Sequence, residues 1–159
     1  SPGMYPASMA TWLGRWTGTK QVILDPADAP LPAGPSQLAF QQLGAGELYR
    51  VEYDWQLEGL TRFGALLLAV HPETDAVSAA WVDSWHQSSA VMSLASASSP
   101  AGVLRLSGRY AVEAGPAWGW AIEFESGGED VLEMRMYNAT PEGDEALAVR
   151  ARYDRVIRA

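Results

Sequence analysis

The stretch "ELYRVEYDWQL", residues 47–57, alternates apolar and polar side chains from Tyr49 onward. One face of an extended chain would carry Tyr49, Val51, Tyr53, Trp55 and Leu57, and the other would carry Arg50, Glu52, Asp54 and Gln56. A period of two residues is typical of a β-strand with one buried and one solvated face. The stretch therefore predicts a strand of an antiparallel sheet, packed on a core on one side only.

The same alternation recurs along the chain, and turn-forming residues separate the apolar runs. The predicted strands span residues 11–24, 37–43, 47–57, 60–71, 77–86, 89–95, 103–113, 118–125, 131–138 and 146–157. About ten strands with one apolar face each would close on themselves rather than leave unpaired edges. The pattern predicts an all-β fold, a single antiparallel up-and-down β-barrel with at most a short N-terminal helical turn.

We predict one barrel domain over residues 1–159, and some of its segments are expected to lie outside the strands or to have a helical alternative. Residues 1–10 form an N-terminal arm, and a helical turn is an alternative over 7–12, as it is within 34–50. Residues 25–36, "DPADAPLPAGPS", hold four prolines. Since proline cannot donate to a strand ladder, we expect a loop there, either a lid over the barrel mouth or plain surface.

Composition excludes several classes of function. The net charge of −8 disfavours nucleic acid and anionic membranes as partners, because both need a basic surface. The absence of cysteine excludes disulfides, thiol nucleophiles and thiolate metal sites. The chain shows neither a leader pattern nor an apolar run of membrane-spanning length, so we expect a cytoplasmic protein. Its basic residues are nearly all arginine, with Lys20 the single lysine, which we interpret as a compositional habit.

The stretch "TWLGRWTGTK", residues 11–20, carries a Gly14-x-Trp16 pattern at the start of the first predicted strand. It resembles the calycin signature of lipocalins and fatty-acid-binding proteins, and its extended form resembles the opening of nitrobindin-type barrels. The resemblance implies that Trp16 plugs one end of the barrel and that an arginine of the last strand covers it. Arg150, Arg152 and Arg155 are the candidates, and we assign the structural role to Arg155.

A closer resemblance covers nearly the whole chain. Three motifs in order, "LGRWTG" at 13–18, "VHPETDAVSAAWVDSWH" at 70–86 and Tyr153-Asp154-Arg155, are similar to a bacterial family catalogued as domain of unknown function 1579. The chain departs from that family at His71 and at Val77-Ser78, where the family usually has aspartate and an aromatic residue. The family implies a calycin-like barrel and brings no established reaction.

The segment "WVDSWH", residues 81–86, is the most unusual chemical cluster. Alternation places Trp81, Asp83 and Trp85 on one face and His86 on the opposite face. If the tryptophans point inward, Asp83 does too, and a buried carboxylate needs a partner such as Arg152. The pair would anchor a ligand inside an apolar pocket, or Asp83 would instead fix the barrel through backbone amides. A register shift of one residue would reverse the two faces.

The sequence offers little support for a catalytic site or a metal site. The two histidines, His71 and His86, match no zinc spacing, and we interpret them as a turn residue and a strand-end residue. The resemblance to nitrobindin-type barrels implies a haem site only with a histidine on a late strand, and the last three predicted strands hold none, which disfavours haem. Ser84 and His86 lie opposite Asp83 on the strand, so no serine triad forms there. We therefore expect no cofactor and no metal.

The aromatic side chains suggest the function. Tyr53, Trp55 and Trp120 would either line a pocket or fill the core, together with the tryptophans of "WVDSWH". The leading hypothesis is a barrel that binds a small hydrophobic or amphipathic molecule in its interior. One alternative is a structural or interaction barrel with a filled core, such as a homodimer, and a filled core predicts no cavity of about 300 Å³ or more. A less favoured alternative is an enzyme that uses Asp83 or His86.

Overall fold

The computed structural model describes residues 9–87 and 89–157, and these fold into ten β-strands after one short helical turn over residues 9–12. The strands are β1 (Gly14–Val22), β2 (Gly34–Leu43), β3 (Leu48–Leu57), β4 (Leu60–Val70), β5 (Val77–Asp83), β6 (Met92–Ser96), β7 (Val103–Tyr110), β8 (Trp118–Gly128), β9 (Val131–Ala139) and β10 (Glu145–Arg155). The predicted helical turn near the N-terminus is confirmed for 9–12, and the rest of the N-terminal arm lies outside the described residues.

Every strand pairs antiparallel with its neighbours in sequence, and β10 returns to pair with β1. The sheet is thus a closed up-and-down barrel, as the alternation predicts. Closure removes both edges, so each strand has a partner on either side. No helix among the described residues is long and apolar enough to cross a membrane.

The barrel has two ends of different character. At the end where β1 begins, which we call the plug end, the turn 9–12 places Met9 and Trp12 in the core. The end where β1 stops, which we call the aromatic end, carries the 23–33 loop and the turn that follows β5. Between the two ends the interior is filled by the protein's own side chains, among them Leu38, Leu66, Leu104, Ile122, Phe124, Met134 and Met136.

The structure corrects several strand boundaries, and two of them bear on the site. Strand β2 begins at Gly34, so Pro35 belongs to the strand and pairs with Thr19 of β1. Proline is accepted there because it stands next to the first residue of the strand. The same strand excludes the helical interpretation of 34–50, and the proline-rich loop ends at residue 33. Strand β5 ends at Asp83 rather than at residue 86.

Gly14, Trp16 and Arg155, the residues to which the Gly-x-Trp resemblance gives a structural role, lie together at the plug end. The Arg155 guanidinium lies 4.3 Å from the centre of the Trp16 ring, a cation–π contact. Arg155 also donates to Leu13 O at 2.7 Å, Thr11 O at 2.5 Å and Asp130 Oδ1 at 2.8 Å. Gly14 has φ +125°, which disfavours any side chain, and a Cβ there would approach Arg155 Nη1 to 3.2 Å.

The register decides where the three candidate arginines of β10 point, and Arg155 is the one on the inward side, where it covers Trp16 at the plug end. Val149, Ala151 and Tyr153 point into the core. Arg152 therefore points outward, where it donates to Glu133 Oε1 at 2.9 Å with more than half of its side chain exposed. The predicted inward role of Arg152 is wrong, because strand alternation gives the interior to Tyr153 instead.

Candidate functional site: the aromatic end of the barrel

Five rings close the aromatic end of the barrel. We call them the aromatic cluster: Trp55, Trp81, Trp85, His86 and Trp120. The Trp81 and Trp120 rings are stacked, with centroids 5.4 Å apart and an angle of 9°. The His86 ring is central, 4.7 Å from Trp85, 5.2 Å from Trp120 and 5.9 Å from Trp81. Flat faces of this kind suit a planar apolar molecule.

His86 joins this cluster because the chain turns at Asp83. The Asp83 Oδ1 atom accepts the backbone N–H groups of Trp85 and His86, both at 2.9 Å. The Gln87 N–H donates to the Asp83 carbonyl at 3.1 Å. An aspartate that accepts amides two and three residues ahead ends a strand in a turn. Strand alternation stops there, so the prediction that His86 lies on the opposite face from the tryptophans is wrong.

The second Asp83 oxygen holds a buried chain of hydrogen bonds. Tyr53 donates its hydroxyl to Asp83 Oδ2 at 2.6 Å, and Trp81 Nε1 donates to the Tyr53 oxygen at 3.0 Å. Burial and the neighbouring Asp83 charge raise the pKa of Tyr53 well above its ordinary value, so the hydroxyl keeps its proton. The predicted Asp83–Arg152 pair does not form. Asp83 is satisfied by Tyr53 and by backbone amides, which was the alternative interpretation of this residue.

The single lysine lies inside the barrel beside this chain. Lys20 is 2% exposed, and its Nζ lies 4.0 Å from the centre of the Trp55 ring and 4.3 Å from that of Tyr53. Burial lowers the pKa of Lys20 to about 7, although the negative charge of Asp83 acts to raise it. The charged form of this amine is therefore much less favoured at neutral pH than that of a solvent-exposed lysine.

Sequence analysis missed Lys20, although the signal was present. Trp16, Lys20 and Val22 are spaced by even numbers along β1 and share its inward face. The arginine-rich composition drew attention away from Lys20, which the inward face of β1 carries into the core, where lysine is rarely found.

Four nitrogen atoms in and beside the aromatic cluster have no hydrogen-bond partner among the described residues. They are Lys20 Nζ, Trp55 Nε1, His86 Nε2 and Trp120 Nε1, and all four are buried. Buried polar groups in folded proteins are nearly always bonded, so these four call for an explanation. The other unpartnered buried atoms among the described residues are Arg50 Nε, Arg62 Nε and Gln87 Oε1. Burial also lowers the pKa of His86 to about 4, an effect that the Lys20 charge reinforces and Asp83 opposes. The imidazole is therefore neutral at physiological pH.

A cavity of about 180 Å³ opens next to the cluster. Trp85, His86 and Trp120 form one side, and Leu24 and Pro26 of the 23–33 loop form part of the other. The proline-rich segment therefore borders the barrel mouth. The cavity is smaller than the roughly 300 Å³ that distinguishes an open barrel from a filled one, since most of the interior is occupied by side chains.

The structure brings together six of the seven residues predicted to bind a ligand. Tyr53, Trp55, Trp81, Asp83, Trp85 and Trp120 all lie at the aromatic end, and Arg152 does not. His71 lies in the turn after β4, where its Nδ1 accepts the N–H of Glu73 at 3.2 Å. Among the described residues, no group of three or more histidine, aspartate or glutamate side chains is arranged to hold a metal ion.

A comparison with protein families matches residues 1–155 to the family described as "Protein of unknown function (DUF1579)". The chain belongs to the DUF1579 family. No curated protein sequence matches this DUF1579 protein. Among solved structures, the crystal structure of Rv2717c from M. tuberculosis is similar to it with a TM-score of 0.64 at 14% identity, over 99% of both chains. That likeness concerns the fold alone.

Proposed function

We propose that this DUF1579 protein binds a small amphipathic molecule at the aromatic end of its barrel. The observation that carries the proposal is the set of unpartnered nitrogens of Lys20, Trp55, His86 and Trp120 among flat aromatic faces. Leaving such groups unpaired costs about 1–3 kcal/mol each. A bound polar group would remove that cost, while the rings would take up the apolar part of the ligand.

The dimensions support a ligand of about one ring. An apolar protein cavity of about 150 Å³ is large enough for benzene. The cavity of about 180 Å³ beside Trp85, His86 and Trp120 matches that scale. Affinity would come from burial of the apolar ring, at about 25 cal/mol per Å². The ligand of this proposal is therefore smaller than a fatty acid, for which the filled middle of the barrel leaves no room.

The plug end supports a calycin-like assignment as part of the same proposal. Trp16 is covered by Arg155 and bonds Trp12 O through its indole nitrogen at 2.8 Å. This is the arrangement that the Gly-x-Trp resemblance implies. The plug closes one end of the barrel, which leaves the aromatic end as the entrance.

The test combines native mass spectrometry with a designed pair of variants. Protein purified from its natural host is measured before and after denaturation, and we expect a small molecule that leaves on unfolding. Trp120→Phe removes one donor of the site and should lower its occupancy, whereas Trp12→Phe at the plug end should not. A bare protein mass, together with no change in tryptophan fluorescence on addition of one-ring molecules, would contradict the proposal.

The second candidate, a structural barrel that pairs with a copy of itself, is favoured by a different observation. Phe63 and Leu67 of β4 and Val82 of β5 point outward and are 60%, 54% and 41% exposed. Light scattering on a sizing column measures the mass in solution. A dimer that Phe63→Ser converts to a monomer would support this candidate, and a wild-type monomer would contradict it.

The enzyme alternative stays a prediction. Asp83 has hydrogen bonds on both oxygens, which suits a structural role, and His86 presents a neutral imidazole to the cavity. No reaction follows from these two groups alone.

A further inference from the structure

This inference rests on the proposed function and names the chemistry of its ligand. We propose that the head group of the ligand is a carboxylate, carried by a single aromatic or alicyclic ring and held by Lys20 with Trp55, His86 and Trp120.

The hydrogen-bonding capacity of the site points to an acceptor. A lysine ammonium and an indole N–H can only donate, and a neutral imidazole donates from one of its two nitrogens. Lys20, Trp55 and Trp120 thus offer donors to which no described residue supplies an acceptor. A carboxylate has two oxygens with about four acceptor positions, whereas an amide or ketone carbonyl has only two. The carboxylate matches this donor-rich site best.

The groups that carry these donors are neighbours. Lys20 Nζ lies 4.0 Å from the centre of the Trp55 ring, the Trp55 and His86 ring centres are 6.1 Å apart, and the His86 and Trp120 ring centres are 5.2 Å apart. One head group bound among them would lie near several donors.

Among the charged groups at the site, Lys20 is the one that an anion can pair with. The titratable groups around Lys20 are Asp83 of β5, Tyr53 of β3 and His86 of the turn, with Tyr153 of β10 beyond Tyr53. Asp83 already accepts three hydrogen bonds, from the Tyr53 hydroxyl and two amides. These bonds occupy its oxygens but leave its negative charge in place, and the ammonium of Lys20 has only ring faces as direct contacts. An anionic head group would give Lys20 the hydrogen-bond partner that it lacks.

Access to Lys20 runs through His86. Val22 follows Lys20 on the inward face of β1 and lines the cavity, so Lys20 lies about 7 Å deeper along the strand. The head group first meets Trp120 and His86 at the cavity wall. The His86 ring packs on Trp55, so the ring must move for the head group to reach Lys20.

Protonation gives the proposal a measurable signature. The pKa of free Lys20 is about 7, and a bound carboxylate would raise it, since the charged amine gains a partner. The affinity for a carboxylate should therefore be highest below pH 7 and fall as Lys20 loses its proton, by up to about tenfold per pH unit. A neutral ligand of the same shape should show no such fall.

The experiment uses Lys20 as its own probe. Because the chain has one lysine, protein labelled with ¹³Cε-lysine gives a single side-chain signal, whose titration reports the pKa of Lys20 directly. The titration is run without ligand, with benzoate and with benzamide, which have the same size and differ in charge. Affinities for both probes are measured on the wild type and on Lys20→Met, which keeps the apolar stem of the side chain.

We expect benzoate to bind at least about tenfold more tightly than benzamide at pH 6, and to raise the pKa of Lys20. We expect this preference to disappear in Lys20→Met. Equal affinity for the two probes in the wild type would overturn the carboxylate while leaving the proposed function in place. Binding of neither probe would contradict both. The Lys20 signal of the wild type decides the question even if Lys20→Met does not fold.

Discussion

At the scale of single residues, Asp83 and Lys20 show two outcomes for a charge inside a barrel. Asp83 is 3% exposed and has hydrogen bonds on both carboxylate oxygens. Lys20 is equally buried but rests on ring faces without a hydrogen bond to any described residue. The Asp83 arrangement stabilises the fold, because both carboxylate oxygens accept hydrogen bonds from neighbouring groups. The Lys20 arrangement lowers the free energy of unfolding, because its buried amine makes no hydrogen bond to a described residue. We expect a bound ligand to remove that cost.

Asp83→Asn tests the first role. The amide oxygen can still accept the Trp85 and His86 N–H groups, but an amide nitrogen replaces the oxygen that accepts the Tyr53 hydroxyl. We expect a loss of about 1–3 kcal/mol in the free energy of unfolding, measured in urea. Asp54→Asn, on the outer face of β3, should change it by less than about 0.5 kcal/mol. An Asp83→Asn protein as stable as the wild type would refute the assignment.

At the scale of elements, the plug end and the strand pair β3–β4 show how single positions hold the barrel together. Arg155 joins the end of β10 to the chain before β1 through the carbonyls of Leu13 and Thr11. On β4, Gly64 lies opposite Tyr53, and the tyrosine ring occupies the space that a side chain would need. Arg155 thus joins β10 to the segment before β1, and Gly64 leaves the space in which the Tyr53 ring of β3 packs against β4.

Arg155→Met should destabilise the protein by about 2–4 kcal/mol, because it removes the part-buried hydrogen bond to Leu13 O and the contact with Trp16. The matched control is Arg152→Met on the same strand, where an exposed ion pair with Glu133 contributes at most about 1 kcal/mol. Thermal and urea unfolding followed by circular dichroism measure both. Equal effects of the two substitutions would show that Arg155 is an ordinary surface residue.

Gly64→Ala should disturb the aromatic end from a distance. The added Cβ would lie 2.1 Å from Tyr53 Cζ, so the ring must move away from Asp83 and Trp81. Overpacking of this kind costs about 1–3 kcal/mol. Tryptophan fluorescence should change together with stability, whereas Gly46→Ala, with no atom near its Cβ position, should leave both unchanged. An unaltered fluorescence spectrum in Gly64→Ala would contradict the packing of Tyr53.

At the scale of the whole molecule, buried bases make stability depend on pH. The folded state holds Lys20 with a pKa of about 7 and His86 with a pKa of about 4, below the values of about 10.4 and 6.5 in an unfolded chain. The unfolded chain therefore binds more protons between pH 4 and 6.5, and again between pH 7 and 10. In both windows the free energy of unfolding rises with pH.

We expect urea unfolding of the wild type to show stability rising from pH 4 to about pH 9. Lys20→Met should lack the upper part of this rise, because methionine never takes a proton. The variant should be more stable than the wild type at pH 6, and the difference should shrink as the pH approaches 10. Above pH 10 the raised pKa values of Tyr53 and Tyr153 reverse the slope for both proteins. Parallel curves from pH 6 to 9 would show that Lys20 titrates normally.

The local pattern of the sequence determined the number of strands, their order and the faces they bury. Alternation over residues 47–57 holds for β3 without exception, since a strand has no other period to adopt. The same rule applied to Val149, Ala151 and Tyr153 already places Arg152 outside the barrel. The resemblance carried by the Gly-x-Trp pattern implied that Trp16 and Arg155 meet at one end, and the contact joins the start of β1 to the end of β10.

Only the tertiary structure decided what meets inside the barrel. Alternation assigns a side chain to a face, but closure of ten strands determines that Lys20 of β1 lies against Trp55 of β3. Alternation likewise cannot show that Asp83 ends β5 in a turn and brings His86 back to the tryptophans. The candidate site is built from contacts between residues far apart in sequence, and periodicity within one strand carries no information about them.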